Sequence, residues 1–119
     1  MNQFDAEIEE AKEELARAHD WYDECIRAAA KATVEYRLAL ARVWPRVMTM
    51  SGLTADAKKD TAEALASGYE EDMKIAQGME KSALEKVRSQ REVLGTARSK
   101  LVSAREELST LGRGMGAGA

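Results

Sequence analysis

Few side chains in this sequence could do chemistry, and the clearest grouping surrounds its single histidine. His19 and Asp23 are four residues apart, so a helix would place both on one face, with Asp20 and Glu24 alongside. A carboxylate-bridged metal site in a helical bundle needs a glutamate three residues before the histidine, and residue 16 is alanine. Zinc sites use several histidine or cysteine ligands, and the sequence has one of each. We therefore expect a solvated helix face here, with no metal and no cofactor.

The single cysteine, Cys25, is a second candidate because a thiolate can act as a nucleophile. The only possible histidine base, His19, is six residues away and therefore lies on a different face of a helix. Cys25 instead falls within a periodic apolar stripe, which predicts a buried structural thiol. The sequence has no glycine-rich phosphate-binding loop followed by a helix. We expect no catalytic residues and a protein that is not an enzyme.

A basic segment over residues 81–105 raises the question of nucleic-acid binding. It contains seven bases and two acids, and four of the bases could follow a phosphate backbone: Lys86, Arg88, Arg91 and Arg98. The segment has no aromatic side chains on which bases could stack. The whole chain has a net charge of -3, and its acidic N-terminal part could neutralise the segment. Pairing within the chain is the preferred interpretation, and phosphate contact is the alternative.

The residues above are predicted to lie on long helices. The 119 residues include 5% aromatics, 33% charged residues and one proline, a composition typical of long helices and poor for sheets. Apolar or small residues recur at steps of four and three from the start of the chain: Phe4, Ile8, Ala11, Leu15, Ala18, Tyr22, Cys25, Ala29, Ala32, Tyr36, Ala39 and Val43. This stripe predicts a first helix over about residues 3–44, capped by Asn2, and Pro45 predicts an end or a kink there.

A second helix is predicted over about residues 55–111. Gly52 indicates a turn within residues 45–54, and Thr54 is a suitable N-cap. The periodic spacing then resumes at these positions: Thr61, Leu65, Gly68, Ile75, Met79, Ala83, Val87, Gln90, Leu94, Ala97, Leu101, Ala104, Leu108 and Leu111. Internal glycines predict local bends, so either one helix or two would fit this stretch.

Blocks of charge predict how the two helices meet. The net charges are -7, +4, -4 and +5 over residues 1–24, 27–46, 56–72 and 81–105 respectively. If the chain folds at residue 51, opposite positions sum to about 103, and each block lies beside one of opposite sign. The sequence thus predicts an all-α, coiled-coil-like antiparallel hairpin. Ile8 should lie near residues 94–97 and Tyr36 near residues 65–68.

The predicted hairpin is one domain over residues 1–111, followed by a flexible Gly-rich tail over residues 112–119. Two helices shield each other on one face only, so we expect the hairpin to complete its core by self-association. In this register the first residues of the first helix lie opposite about residue 100 of the second. An amphipathic segment of the second helix is predicted to continue beyond that point: Leu101, Val102, Ala104, Leu108 and Leu111. The simplest partner is the same segment of another copy, which gives a homo-oligomer, either a dimer or a tetramer.

A further apolar group surrounds the predicted turn. Its members are Trp44, Val47, Met48, Met50 and Leu53. These side chains either cap the helix ends or form an exposed patch for a partner protein. The sequence allows both interpretations.

Three stretches resemble small helical proteins encoded by actinobacterial phages: YRLALAR at residues 36–42, the Gly52-Leu53-Thr54 turn, and KVRSQR at residues 86–91. The resemblance extends over about residues 34–102, and the apolar WPRVM at residues 44–48 departs from it. It implies a phage origin, the host cytoplasm, and genes near replication and recombination functions. It carries no catalytic residues.

These observations together predict a non-enzymatic interaction protein that self-associates and binds a host or phage protein. One alternative is an accessory DNA-binding factor in phage recombination or replication, because of the basic segment. Another is an inhibitor of a host enzyme whose acidic N-terminal helix mimics nucleic acid. We expect no membrane partner, because the polar faces mix both signs of charge and no apolar run is long enough to cross a bilayer.

Overall fold

The computed structural model describes residues 2–117, with side chains over residues 2–112. The described residues form three helices and no strand: α1 over Gln3–Met48, α2 over Ala55–Leu65 and α3 over Ser67–Ala117. The predicted all-α class, a helical hairpin, is confirmed. The chain divides into two compact units, one made of residues up to Asp20 and from Leu84 onward, the other of Trp21–Ala83. The single domain predicted over residues 1–111 stays a prediction.

The first unit is held by a small buried cluster that joins α1 to α3. Its members are Ile8, Ala11, Leu94 and Ala97, with half-buried Leu15 and Leu101 packed against them. Ile8 therefore lies beside residues 94–97, which confirms this part of the predicted antiparallel register. The corresponding placement of Tyr36 near residues 65–68 stays a prediction.

Helix α1 begins at the predicted cap. The Asn2 side-chain oxygen accepts a hydrogen bond from the Asp5 backbone N–H at 2.8 Å, and the Asn2 carbonyl accepts from Ala6 at 3.2 Å. An asparagine in this position satisfies backbone donors that a helix start otherwise leaves unpaired. Asp5 lies in the first turn, where the helix dipole favours a carboxylate.

The predicted end of α1 at about residue 44 is wrong, because the helix continues to Met48 with Pro45 inside it. A proline ring has no N–H to donate to the carbonyl four residues back, which costs a helix about 3 kcal/mol. Val47 offsets part of this cost because it continues the α1 stripe and its side chain is completely buried, which contributes about 1.5–3 kcal/mol. The last turn is closed by Met50, whose N–H donates to the Val47 carbonyl at 3.1 Å.

The turn before α2 is shorter than predicted and covers residues 49–54. Gly52 has a φ of 81°, a left-handed conformation that glycine adopts without steric cost. Thr54 is the N-cap of α2, as predicted, and its side chain accepts a hydrogen bond from the Ala57 N–H at 3.2 Å. The Lys58 ammonium donates to the carbonyl of Met48 at 3.2 Å, which ties α2 to the last residue of α1.

The second half of the chain forms two helices, separated at Ala66. This residue caps α2 with a φ of -96° and a ψ of 5°, and its carbonyl accepts hydrogen bonds from Tyr69 and Glu70 at 3.1 Å. The interruption lies beside Gly68, where a bend was predicted, whereas α3 runs without a break through Gly78 and Gly95.

The core consists mainly of small side chains. Eight of the thirteen buried apolar residues among those described are alanines. Small side chains allow two helices to approach closely, near the lower end of the usual 8–10 Å between axes. Every position of the predicted α1 stripe is buried or half-buried, so the periodicity of α1 alone identified its packed face.

On the second half of the chain the predicted face is correct from Ala83 to Ala104, whereas before Ala83 only Thr61 of the predicted positions is half-buried. Leu65 and Ile75 are 52% and 59% exposed, and Gly68 and Met79 are also exposed. Positions one residue along are buried or half-buried instead: Ala62, Ala66, Ala76 and Glu80. Close helix packing selects the alanines of this alternative series, because bulkier side chains at the predicted positions would hold the helices apart.

Helix α3 also passes the predicted end at residue 111 and reaches Ala117. The backbone over residues 112–117 is therefore helical, whereas the sequence predicted a flexible tail from residue 112. The rest of that predicted tail, residues 118–119, lies outside the described residues.

Candidate interaction surfaces

The residues with potential for chemistry stay apart from one another. Cys25 is buried, with 5% of its surface exposed, which confirms the predicted buried thiol. His19 is half-buried on α1, while Asp20, Asp23 and Glu24 are exposed. No group of three or more histidine, cysteine, aspartate or glutamate side chains within the described residues is arranged to hold a metal ion.

Ion pairs within the described residues join neighbours on one helix, three or four positions apart. They are Lys12–Glu9, Arg17–Glu14, Lys31–Glu35, Lys74–Glu70 and Arg88–Glu85. The complementary charge blocks thus form no direct ion pair across the hairpin among these residues. Hydrogen bonding to Glu14 raises the pKa of Arg17, and hydrogen bonding to Glu70 raises the pKa of Lys74. Exposed pairs of this kind contribute little to stability.

An open groove in the first unit collects acidic side chains from both helices. Glu7, Glu10 and Glu14 of α1 line it. On the α3 side it is lined by Glu92, Val93 and Lys100. One lysine and four carboxylates leave an excess of negative charge in the groove. Its lining contains no aromatic, histidine or cysteine side chain, and the hydroxyls of Ser89 and Thr96 have no histidine beside them in the groove, so we assign no chemistry to it.

The candidate phosphate contacts on α3 are all exposed. They are Lys86, Arg88, Arg91 and Arg98. Arg91 and Arg98 are seven residues apart, two helical turns, and therefore lie on one face of α3. Arg88 hydrogen-bonds to Glu85 at 3.0 Å, which partly neutralises its charge. These side chains could meet a phosphate backbone, but residues 81–105 contain no aromatic side chain on which bases could stack.

The apolar group around the turn divides into one buried and four exposed residues. Val47 is completely buried, so it does not belong to an exposed partner patch and fits the alternative interpretation, a cap over the helix ends. Trp44 and Met48 are 43% and 51% exposed, and Met50 and Leu53 are exposed as well. Trp44 and Pro45 line an open groove with Ala62 and Glu63 of α2.

The C-terminal part of α3 divides in a similar way. Leu101 packs against the cluster around Ile8, and Ala104 is half-buried, so these two residues belong to the core of their own chain. Leu108 and Leu111 are 69% and 63% exposed, and Val102 is also exposed. The predicted uncovered segment thus begins later than expected, and its largest exposed side chains are the two distal leucines.

The outer face of α1 in the second unit was not predicted from the sequence. Val34 and Leu38 are 53% and 48% exposed, although both are apolar and lie four residues apart. The signal that could have identified them is a second apolar stripe half a turn away from the first. A single stripe is sufficient to predict a helix, so the second one was not needed for that prediction.

No helix within the described residues combines the length and apolar character needed to span a membrane.

The chain matches no protein-family model, no curated protein and no solved structure. The functional proposals therefore depend on the described side chains and their surroundings.

Proposed function

We propose that this chain is a non-enzymatic helical interaction protein that self-associates and binds another protein. We also propose that it originates from an actinobacterial phage and acts in the host cytoplasm with a host or phage partner. The observation that carries the proposal is the contrast between a core of alanines and large apolar side chains left exposed, Leu108 and Leu111 above all. Such side chains gain stability from a partner surface.

The C-terminal part of α3 is the proposed self-association surface. Leu108 and Leu111 continue the spacing of Leu94, Ala97, Leu101 and Ala104, yet α1 begins at Gln3. Unlike Leu94 and Ala97, which are buried, they are left 69% and 63% exposed. Burial of each leucine would contribute about 1.5–3 kcal/mol, which is sufficient to favour association.

A two-fold antiparallel pairing of this segment fits its charges. If the axis passes near Glu106, Arg105 of one copy lies opposite Glu107 of the other. The same pairing would place Leu108 and Leu111 of each copy against the segment of the other. A closed two-fold arrangement buries both copies of the surface and leaves none to continue a filament.

The test replaces the two leucines in the full chain. We expect Leu108→Glu/Leu111→Glu to lower the molar mass measured by light scattering to that of a monomer, with little change in helicity. The control Ser109→Glu/Thr110→Glu adds the same charge to the same segment, next to the apolar positions, and should keep the oligomer. An unchanged mass for the leucine variant would show that the assembly surface lies elsewhere.

A second candidate function, an accessory DNA-binding factor, is favoured by the exposed bases on α3. Arg91 and Arg98 lie on one face and could contact phosphates about two helical turns apart. The test is DNA binding at low salt by the full chain and by Arg91→Glu/Arg98→Glu. Salt-sensitive binding that this variant loses would support the candidate, and no binding at low salt would exclude it.

A further inference from the structure

The C-terminal half of α1 has a second apolar stripe on the side opposite its core-facing stripe. Its members follow one another at steps of four, three, four and three residues: Val34, Leu38, Ala41, Pro45 and Met48. All five are exposed. Ala39 and Val47, on the core-facing side of the same helix, are buried. This half of α1 is therefore apolar on two opposite faces, and only one face is covered.

Trp44 widens the exposed stripe at its C-terminal end. Its indole is 43% exposed and lines a groove with Ala41 and Pro45, which α2 borders with Lys59 and Glu63. Aromatic side chains of this kind are frequent anchors in protein interfaces, because they bury a large area at a low entropic cost. The stripe and the groove form one continuous surface within the second unit, since they share Ala41 and Pro45.

The charges beside this surface are almost all positive. Five exposed bases accompany it: Arg27, Lys31, Arg37, Arg42 and Arg46. The only acid between residues 25 and 55 is Glu35, which pairs with Lys31 at 3.9 Å. The stripe on α1 is therefore apolar along its centre and basic along its edges, while Glu63 of α2 borders the groove.

A second copy of the same face is a poor occupant. An antiparallel pair centred near Leu38 would bring the bases of one copy close to those of the other, and like charges in an interface oppose association. A partner with acidic edges would gain from the same bases. The spacing of the stripe matches one face of a helix, which is how amphipathic helices are recognised.

We infer that the outer face of α1 over residues 34–48 is a docking surface for an acidic amphipathic helix of another protein. This inference depends on the proposed function, because it identifies the surface and the chemistry of the partner. The partner helix needs about four turns to match the stripe, which is roughly 21 Å long. Its apolar side chains would lie along Val34, Leu38 and Ala41, with its carboxylates near Arg37 and Arg42.

An anionic lipid surface has some of the same chemistry but fits less well. A membrane-bound helix lies in a broad plane of negative charge, and Glu63 of α2 borders the groove beside Trp44. The acidic block of residues 56–72, in the same unit, adds to that repulsion. Val34 and Leu38 do not line the groove that Glu63 borders, so a single narrow helix can contact them without meeting this carboxylate.

The test uses two synthetic peptides of about 15 residues, long enough for four helical turns. Both carry leucines at the spacing of the stripe, and they differ only in having glutamates or lysines along the edges. Binding is followed by the fluorescence of Trp44 in a Trp21→Phe background. We expect a blue shift and saturable binding with the glutamate peptide, weakening as salt is added, and no binding of the lysine peptide.

Substitutions on α1 then locate the binding surface. Val34→Glu/Leu38→Glu should weaken binding of the glutamate peptide by at least about tenfold, with the helicity unchanged because both residues are exposed. The matched control Ala6→Glu/Ala16→Glu adds two carboxylates at exposed positions of the same helix and should bind as the parent does. Equal binding of both peptides, no binding of either, or the same affinity in both variants would overturn the inference.

Vesicles containing about one-third phosphatidylglycerol form a third arm, and binding to them in preference to the glutamate peptide would favour a lipid surface instead. Light scattering of the same samples measures self-association independently. A chain that forms oligomers without binding the peptide would refute the docking surface alone. A monomer that binds the peptide would refute only self-association.

Discussion

Ile8 of α1 and Ala97 of α3 lie in one buried cluster, although they are near opposite ends of the sequence. Their side chains are 9% and 7% exposed. The two termini of a hairpin are far from its turn, so a contact between them fixes the register over the whole first unit. Ile8 is one of only two large side chains among the four cluster members, the other being Leu94. Ile8 should therefore contribute more to the free energy of unfolding than an exposed isoleucine does.

We expect Ile8→Ala to lower the free energy of unfolding by about 2–4 kcal/mol, because it removes three buried carbons and leaves a cavity in the cluster. The matched control is Ile75→Ala on α3, where the parent side chain is 59% exposed and the loss should be below about 1 kcal/mol. Urea unfolding followed by circular dichroism measures both. Similar losses for the two variants would contradict the assignment of Ile8 to the core.

The packed face of α1 could be predicted because its stripe is unbroken from Phe4 to Val43, whereas the second apolar series covers only residues 34–48. On α2 and the start of α3 two series compete. Leu65, Ile75 and Met79 form the more hydrophobic one, while Ala62 and Ala66 form the one that is buried. Hydrophobicity ranks the larger side chains first, whereas the approach of two helices favours the smaller ones. The spacing of apolar residues does not show how closely two helices approach, so it could not identify the alanine series as the buried one.

We expect Ala62→Leu to destabilise the chain by about 1–3 kcal/mol, because Ala62 is 1% exposed and a larger side chain would force α2 away from α1. Ala64→Leu provides the control, since Ala64 is exposed on the same helix and leucine is also a good helix former. Thermal unfolding compares the two. If Ala64→Leu proved the more damaging change, the buried face of α2 would have to be the one containing Leu65.

Replacement of glycines inside α3 should stabilise the chain. A Cβ atom built at Gly78 or Gly95 has no neighbour within 4 Å, so alanine there gains helix propensity without a clash. We expect each change to raise the free energy of unfolding by about 0.5–1 kcal/mol. Gly52→Ala should do the reverse by about 1–2 kcal/mol, because its φ of 81° is unfavourable for a side chain. Chemical denaturation of the three single variants checks both signs.

The candidate surfaces were predictable where an apolar stripe continues beyond its partner, as at Leu108 and Leu111. The exposed and the buried residues around the turn could not be told apart from the sequence. Val47 and Met48 are adjacent and both apolar, and the predicted helix stopped before them. Continuation of α1 for one more turn places Val47 inside and Met48 outside. The outer stripe through Val34 and Leu38 was readable from the sequence but lay opposite the face that the hairpin required.

The excess of carboxylates in the groove of the first unit offers a way to measure how much the charges of α1 and α3 contribute to the free energy of unfolding. Glu92 of α3 lines this groove with Glu7, Glu10 and Glu14 of α1. The carboxylate of Glu92 is therefore repelled by the α1 glutamates, whereas a lysine at this position would be attracted to them. We expect Glu92→Lys to raise the free energy of unfolding by up to about 1 kcal/mol at low salt, the usual range for exposed pairs. The gain should vanish at about 1 M salt, where the Debye length falls to about 3 Å.

Glu85→Lys separates a local effect in the groove from a change in net charge. It alters the charge of α3 by the same amount, but Glu85 does not line the groove and its carboxylate pairs with Arg88 at 3.0 Å. This control should leave the free energy of unfolding unchanged or lower it by a few tenths of a kcal/mol, because a favourable i,i+3 pair is lost. Urea titrations of both variants at low and high salt provide the comparison. Equal gains for Glu92→Lys and Glu85→Lys would mean that stability follows the net charge of -3 and not the complementarity between α1 and α3.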